Sequence, residues 1–440
     1  MRAFLAAALR HRTSALGVAL TAASSVVFLA LVGLELVGLF QSPYSGIVVF
    51  VMLPIMIVVG LLLIPVGMWG ARRKEPMKAA DTRPALLFVG GATIAYIALL
   101  SFASYGAVEY SESGQFCGQS CHVMEPQFLA HRSGLHGRVT CVACHVEPGA
   151  HGFFKAKLNG TRQLALVMTG GYPKPIPSPP QIGAPNVHTS CEQCHWPDRF
   201  IGDVIKVVHE YADDEPNTET KTTLRMHVGG PISGTSSGVG IHWHMNRSNK
   251  VEYVALDPTL EQIPYVRVST PDGGVREYVA EGSSARDFTG KPVRHMVCTD
   301  CHNRPAHRFG TTAERSVDAA LGAGQMSVRL PFVRREAVRA LKVAYPTQTA
   351  AVDGIGNTMR AALQPRAGRE SADALQQAIA VTQNIYRTSV FPEMKIDWGT
   401  YNYQIGHVTT PGCFRCHDGT HTSREGKVIG QDCESCHSIE

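Results

Sequence analysis

The hydrophobic residues of this chain are concentrated in three long apolar runs at its N-terminus. The runs are Ser14–Phe40, Ile47–Trp69 and Ala85–Val108. Each is longer than the roughly 20 residues that a helix needs to cross the hydrocarbon core of a bilayer. The pattern therefore predicts a membrane anchor of three transmembrane helices in residues 1–108.

Basic residues in the short loops predict the orientation of this anchor. Three arginines precede the first run, and five lysines or arginines separate the second run from the third, whereas residues 41–46 contain none. Cytoplasmic loops carry the excess of Lys and Arg. The N-terminus is thus expected in the cytoplasm, and everything after Val108 outside it.

Beyond the apolar runs, three segments have a clear secondary-structure period. Tyr265–Val268 and Val275–Val279 alternate apolar and polar residues around a Pro-Asp-Gly-Gly turn, which predicts a β-hairpin. Phe332–Ala344 and Ser371–Tyr386 have apolar residues at helical spacing, so each predicts a helix.

The twelve cysteines form six pairs, and a histidine follows each pair directly. Five pairs read C-x-x-C-H, the pattern of covalent c-type haem attachment, and the first has one extra residue between its cysteines. In this pattern the thiols bind the haem, and the histidine is its first axial ligand. The sequence predicts six covalently bound haem c groups, at Cys117/Cys121/His122, Cys141/Cys144/His145, Cys191/Cys194/His195, Cys298/Cys301/His302, Cys413/Cys416/His417 and Cys433/Cys436/His437.

Zinc sites and disulfides are the competing interpretations of these cysteines. Paired C-x-x-C motifs also build tetrahedral zinc sites, and an even cysteine count suits a disulfide framework. Neither explains a histidine after every pair. The net charge of +5 is modest and its basic residues are scattered, so no nucleic-acid partner is expected.

The sixth position of each iron needs a second ligand, and thirteen histidines remain for it. His11 is excluded because it is expected in the cytoplasm. Two histidines on one iron favour electron transfer over substrate chemistry. Spacing alone does not pair the candidates, which are His136, His188, His209, His242, His244, His295, His307, His407 and His421.

The first motif continues Cys-His-Val-Met, with Met124 two residues after His122. This arrangement resembles the NapC/NirT family of membrane-anchored quinol dehydrogenases. The resemblance implies that Met124 is an axial ligand of the first haem, that His136 is a distal ligand, and that quinol binds beside the first haem. It also implies a quinol pocket formed by Lys155, Lys157, Arg162 and Gln163.

Four further segments extend the resemblance to the inner-membrane multihaem cytochromes of metal-reducing bacteria. They are CEQCHWP (191–197), CTDCHNRPAH (298–307), FPEMKIDWGTY (391–401) and IGHVTTPGCFRCHDGTH (405–421). This chain departs from those proteins in having six motifs where they carry seven haems, and in its first spacing. By motif match, the distal ligands are His307 and His407, followed by His421, His242 and His244.

The expected fold is a membrane-anchored multihaem cytochrome c. Three N-terminal transmembrane helices precede a largely irregular and α-helical periplasmic haem domain with a small β insertion. The expected parts are the anchor (1–108), a NapC-like domain with the first three haems (109–200), the β-containing insertion (201–290), the fourth haem with a helical segment (291–392) and a C-terminal two-haem segment (393–440).

The resemblance implies a quinol dehydrogenase of the bacterial inner membrane. Electrons would pass from menaquinol or ubiquinol through six haems to a periplasmic cytochrome or another soluble acceptor, with other membrane respiratory subunits as further partners. Two other functions stay open: an electron-transfer subunit docked to a separate quinol-oxidising protein, and a terminal reductase with one open haem.

Overall fold

The computed structural model describes residues 12–36, 52–72, 98, 102, 105–177, 190–196, 200, 202–229, 240–245, 248–366 and 372–440. The chain divides into two compact units, Met1–His122 and Val123–Glu440.

Two apolar helices pack closely in the first unit. They are α1 (Arg12–Leu36) and α2 (Leu53–Arg72). A Cβ atom added to Gly17 would lie 2.7 Å from the carbonyl oxygen of Gly60. Small residues allow membrane helices to approach this closely, because association between apolar helices depends on packing.

The predicted membrane anchor is matched in part. Among the described residues, Arg12–Leu31 is the stretch long and apolar enough to cross a membrane, with a mean hydropathy of 2.0. Leu53–Trp69 is apolar but shorter. The third predicted span, Ala85–Val108, lies largely outside the described residues, so the three-span anchor remains a proposal.

The helices of the second unit form two groups. Four near the haem motifs are α3 (Glu125–Arg132), α4 (Cys141–His145), α5 (Ala150–Met168) and α6 (Cys298–Cys301). Four more enclose a core of aliphatic side chains and are α7 (Ala313–Gly322), α8 (Val333–Leu341), α9 (Gln348–Leu363) and α10 (Ala372–Ser389). Helices α8 and α10 confirm the two helices predicted from apolar spacing.

Two antiparallel sheets complete the second unit. One has the order β1 (Val204–Tyr211), β2 (Glu219–Met226), β8 (His437–Ile439). The other has the order β6 (Arg294–His295), β3 (Lys250–Val254), β4 (Tyr265–Ser269), β5 (Val275–Val279), β7 (Thr422–Ser423). Strands β4 and β5 confirm the predicted hairpin, with Tyr265 opposite Val279. Strand β7 follows the fifth haem motif and pairs with β5, and β8 begins at His437 of the sixth motif and pairs with β2. The C-terminal segment therefore contributes one strand to each sheet.

Candidate haem sites

The cysteines of each C-x-x-C-H motif lie in a short helical turn, and in the sixth motif the histidine that follows begins strand β8. In three motifs the backbone N–H of the histidine donates to the carbonyl of the first cysteine, at 2.9 Å from His195, 2.8 Å from His302 and 3.0 Å from His417. Residues three and four apart share one face of a helical turn. In these three motifs the local fold therefore places both cysteines and the histidine on the same side.

The first motif accommodates its extra residue in a wider turn. Residues Phe116–Ser120 form a π-helical turn, in which the N–H of Cys121 donates to the carbonyl of Phe116 at 3.1 Å. Such turns insert one residue into a helical path and are frequent at functional sites. The spacing C-x3-C-H is thus compatible with a compact turn that carries two thiols.

The attachment cysteines differ in how far the fold covers them. Cys194 of the third motif and Cys433 of the sixth are exposed, whereas the other ten cysteines are partly covered. The backbone N–H of Cys194 donates to the carbonyl of Cys191 at 3.2 Å, so the turn of the third motif is formed. The role of Cys194 in binding haem stays a prediction from the C-x-x-C-H pattern.

Five motif histidines face a second histidine that is remote in sequence. A metal–imidazole bond of about 2 Å on each side separates two ring centroids by roughly 6 Å. The observed centroid distances are 6.0 Å for His145–His307, 5.9 Å for His195–His136, 6.2 Å for His302–His242, 5.8 Å for His417–His244 and 6.2 Å for His437–His407. Each pair fits the two axial ligands of one haem iron.

Backbone carbonyls orient four of the five partner histidines. A carbonyl that accepts from Nδ1–H fixes the tautomer and leaves Nε2 as the metal ligand. The Nδ1–O distances are 2.9 Å for His136 to Pro305, 2.7 Å for His242 to Val228, 2.8 Å for His244 to Ile241 and 2.8 Å for His307 to Gln127. These four rings are therefore held for ligation.

Burial favours the neutral imidazole at several of these sites. It lowers the pKa of His145, His302 and His244 below the ordinary value, and it lowers the pKa of His307 to about 4. The charged form is disfavoured because a low-dielectric environment solvates it poorly. Neutral imidazole is the form that binds metal, so the protonation state suits an axial ligand.

The donor sets fit haem better than zinc. A structural zinc site needs four protein ligands, and among the residues that the structure describes no three His, Cys, Asp or Glu side chains come together as such a group. Two opposed imidazoles instead leave the four equatorial positions to a porphyrin.

The structure corrects the prediction that His421 is a distal ligand. Its ring is 1% exposed, its Nδ1 lies 2.9 Å from a carboxylate oxygen of Asp418, and its Nε2 lies 2.7 Å from the carbonyl oxygen of Ile263. Both nitrogens are hydrogen-bonded within the protein, so neither is free for iron. The turn at Asp418 holds this histidine as a structural residue.

Two other sequence candidates do not face a motif histidine in the described part of the chain. Nδ1 of His209 lies 2.6 Å from a carboxylate oxygen of Glu219, and His295 is exposed on β6. His188 lies outside the described residues, so its role stays a prediction. Among the described candidates, those that face a motif histidine are His136, His242, His244, His307 and His407.

Sequence reasoning missed His131 on α3. This ring is buried, lies 5.8 Å from that of His307, and has its pKa lowered by burial. His131 follows the buried Gln127 by four residues, so both occupy the inner face of the helix. The short helix is too polar for an apolar stripe to show this face in the sequence.

The predicted quinol residues all lie on α5 but not on one face. Lys155 and Arg162 are seven residues apart, about two helical turns, whereas Lys157 points to the opposite side. Nζ of Lys155 lies 4.0 Å from a carboxylate oxygen of Glu147, and Nζ of Lys157 lies 5.0 Å from the ring centroid of Phe153. The structure thus brings Lys155 and Arg162 together, with the exposed Gln163 beside them, and separates Lys157 from them.

The first motif falls where the two compact units meet in sequence, since His122 ends one unit and Val123 begins the next. Met124 closes the short helical turn His122–Met124. Its role as an axial ligand stays a prediction from the resemblance.

Comparison with known proteins identifies relatives of this chain. A model of the N-terminal region of the NapC/NirT cytochrome c family matches residues 77–175. The chain is 35% identical over 446 residues to the cytochrome c-type protein ImcH of Geobacter sulfurreducens, covering 97% of this chain and 87% of ImcH. It is 32% identical over 111 residues to the cytochrome c nitrite reductase subunit NrfH of Nitratidesulfovibrio vulgaris, covering 25% of this chain and 67% of NrfH. No solved structure matches the chain. A relative aligned along nearly the whole chain, together with six attachment motifs and opposed histidines, establishes that the chain belongs to the NapC/NirT type of multihaem c-type cytochromes.

Proposed function

We propose that this protein is a quinol dehydrogenase of the bacterial inner membrane, anchored by three transmembrane helices with its haem domain in the periplasm. It would take electrons from menaquinol or ubiquinol and pass them through six haem c groups to a periplasmic cytochrome or another soluble acceptor. The observation that carries the electron-transfer part is the set of five opposed histidine pairs.

Each histidine pair would hold an iron on both sides. A haem bound there supplies a one-electron redox centre, and two axial histidines leave it no open position for a substrate. This donor set supports electron transfer at five sites and disfavours a terminal reductase that uses any of them.

The chain itself suggests the order of these centres. His242 faces His302 of the fourth motif, and His244 faces His417 of the fifth. The fourth and fifth sites thus take ligands that are only two residues apart, and the Cα atoms of such residues are at most about 7 Å apart. His302 belongs to the fourth site, and His307 faces His145 of the second site. His307 follows His302 by five residues, so their Cα atoms are at most about 18 Å apart. The ring of Phe414 in the fifth motif stacks on the ring of His407, which faces His437 of the sixth motif, with the ring centroids 4.4 Å apart. We propose the relay second, fourth, fifth, sixth, which ends at the C-terminal motif.

Quinol would bind where α5 presents Lys155 and Arg162. A cation at the quinol oxygen stabilises the negative charge that develops as a proton leaves, and Gln163 offers a neutral hydrogen-bonding group next to it. The plainer interpretation of Lys155 is an interfacial lysine that extends toward lipid headgroups. Its ion pair with Glu147 is long and exposed, so it leaves the ammonium group available.

Substitution of the two lysines tests the quinol site. Loss of a charge-assisted hydrogen bond costs about 1.5–3 kcal/mol. We therefore expect Lys155→Met to slow haem reduction by a menaquinol analogue about ten- to a hundredfold, with reduction by dithionite unchanged. Lys157→Met is the matched control on the opposite face and should react at the wild-type rate.

The same assay separates the alternatives. Equal rates for Lys155→Met and wild type would place quinol binding elsewhere. Purified protein that dithionite reduces but quinol does not would indicate a subunit that needs a separate quinol-oxidising partner.

Haem content tests the first motif. We expect six covalent haems per chain by pyridine haemochrome assay and intact mass, since the π-helical turn at Phe116–Ser120 accommodates the extra residue between Cys117 and Cys121. Substitution of both Cys117 and Cys121 by serine should lower the count by one. A count of five in the unmodified chain, with haem still found on the peptides of the other five motifs, would show that C-x3-C-H does not attach haem.

A further inference from the structure

Arg304 is a buried cation without an anionic partner in the described part of the chain. Its side chain is 7% exposed, and its Nε–H has no hydrogen-bond acceptor. A charge held in the interior without a counter-charge is strongly unfavourable. This arrangement indicates that an anion completes the site.

The position of Arg304 identifies where that anion must come from. It follows His302 by two residues and precedes His307 by three, and these histidines belong to the fourth and second histidine pairs. The carbonyl of the next residue, Pro305, accepts from His136 of the third pair at 2.9 Å. The backbone that carries Arg304 therefore runs among three proposed haem sites.

Aromatic stacking holds the guanidinium in place. Its central carbon lies 3.8 Å from the ring centroid of Tyr401. The Tyr401 hydroxyl donates to the carbonyl of Ile176 at 2.8 Å and accepts from the side-chain amide of Gln127 at 3.2 Å. The backbone carbonyl of Gln127 accepts from Nδ1 of His307 at 2.8 Å. The same network thus orients both the axial histidine and the arginine.

We propose that Arg304 binds a propionate carboxylate of a haem held by one of the neighbouring histidine pairs. The proposal rests on haem ligation by these pairs and is independent of the quinol reaction. The planar guanidinium presents paired N–H donors that match the two oxygens of a carboxylate. Its unpaired Nε–H is one of the donors available for such a contact.

This contact sets the redox behaviour of the haem concerned. With Arg304 present, the propionate is neutralised, and the ferric state receives no extra stabilisation from a nearby negative charge. Without it, the uncompensated carboxylate stabilises the ferric state. Loss of the cation therefore lowers the midpoint potential of that haem.

The test is a mediated spectroelectrochemical titration of the full-length haem-loaded protein. We expect Arg304→Met to make reduction of one haem at least tenfold less favourable, a shift of 59 mV for one electron. Arg304→Lys keeps the charge and should retain most of the wild-type potential. The control Arg315→Met removes an exposed arginine from α7 and should shift no haem.

Two outcomes would overturn the assignment. One is a fully haem-loaded Arg304→Met protein with all potentials unchanged, and the other is an equal shift in the Met and Lys variants, which would indicate packing and not charge. If the Met variant does not mature, Arg304→Gln replaces it, with the same expected direction. Chemical mediators bypass quinol, so failure at Lys155 does not affect this result.

Discussion

Substitution of His244 by alanine should convert the haem proposed at the fifth motif from low spin to high spin. The imidazole of His244 lies 5.8 Å from that of His417, and its Nδ1 is held by the carbonyl of Ile241. Without this ring, the iron at the fifth motif would keep one histidine and an open position. Electron paramagnetic resonance of the oxidised protein should show a new high-spin signal, and the reduced protein should bind carbon monoxide at one haem.

The matched control is His295→Ala. This histidine is exposed on β6 and has no ring contact with a motif histidine in the described structure, so its loss should leave the wild-type spectrum unchanged. If the His244 variant gave the wild-type spectrum, a different residue would ligate the iron of the fifth motif. A high-spin haem already present in the unmodified protein would favour the terminal-reductase function.

Loss of the Arg415 side chain should destabilise the haem domain more than most single substitutions. The buried guanidinium donates to the carbonyls of Gly412 at 2.8 Å, Leu260 at 2.9 Å and Asp300 at 2.7 Å. Asp300 lies between the cysteines of the fourth motif, and Arg415 lies between those of the fifth. In Arg415→Met three buried acceptors lose their donor, at about 1–3 kcal/mol each, so we expect a total on the order of 3–5 kcal/mol.

Thermal unfolding followed by the Soret band measures this effect. We expect the unfolding temperature of Arg415→Met to fall by several degrees. Arg424→Met is the control, because this arginine is 77% exposed and its ion pair with Glu277 is 3.9 Å long, so the change should stay within about 0.5 kcal/mol. An Arg415→Met protein that unfolds at the wild-type temperature would show that these carbonyls find other donors.

Local spacing was sufficient for several elements of this fold. The apolar period that predicts α8 and α10, and the alternation that predicts the β4–β5 hairpin, both agree with the structure. These elements need only that apolar side chains fall on one face, and neighbouring residues specify that face. The pairing of the C-terminal strands β7 and β8 with earlier strands had no comparable signal, because it joins distant segments.

Motif similarity was a weaker guide to the second ligands. It included the five histidines that face motif histidines, and it also included His421, whose nitrogens are hydrogen-bonded to Asp418 and Ile263. Likewise, it grouped Lys155 with Lys157, although residues two apart lie on opposite sides of a helix. A residue type at a familiar position does not state where its ring nitrogen or ammonium group points.

Motif spacing also gave no sign of how far each attachment cysteine is covered. Cys194 and Cys298 occupy matching kinds of motif, yet Cys194 is exposed and Cys298 is partly covered. Burial raises the pKa of the Cys298 thiol to about 11. The difference arises because the coverage of a thiol depends on which distant segments pack over its turn, and the turn itself does not encode them.

The sequence by itself determined where haem is expected to attach, because two thiols and an imidazole must lie on one turn and so must be near neighbours in the chain. It also determined the apolar character of the N-terminal anchor. Only the tertiary structure decided which imidazole faces each of five motif histidines. It also decided that Arg304 lies buried near two of the proposed ligands, with no counter-ion among the described residues. The physical reason is that a distal ligand needs only one nitrogen at the correct distance, and any segment that folds past the motif can supply it.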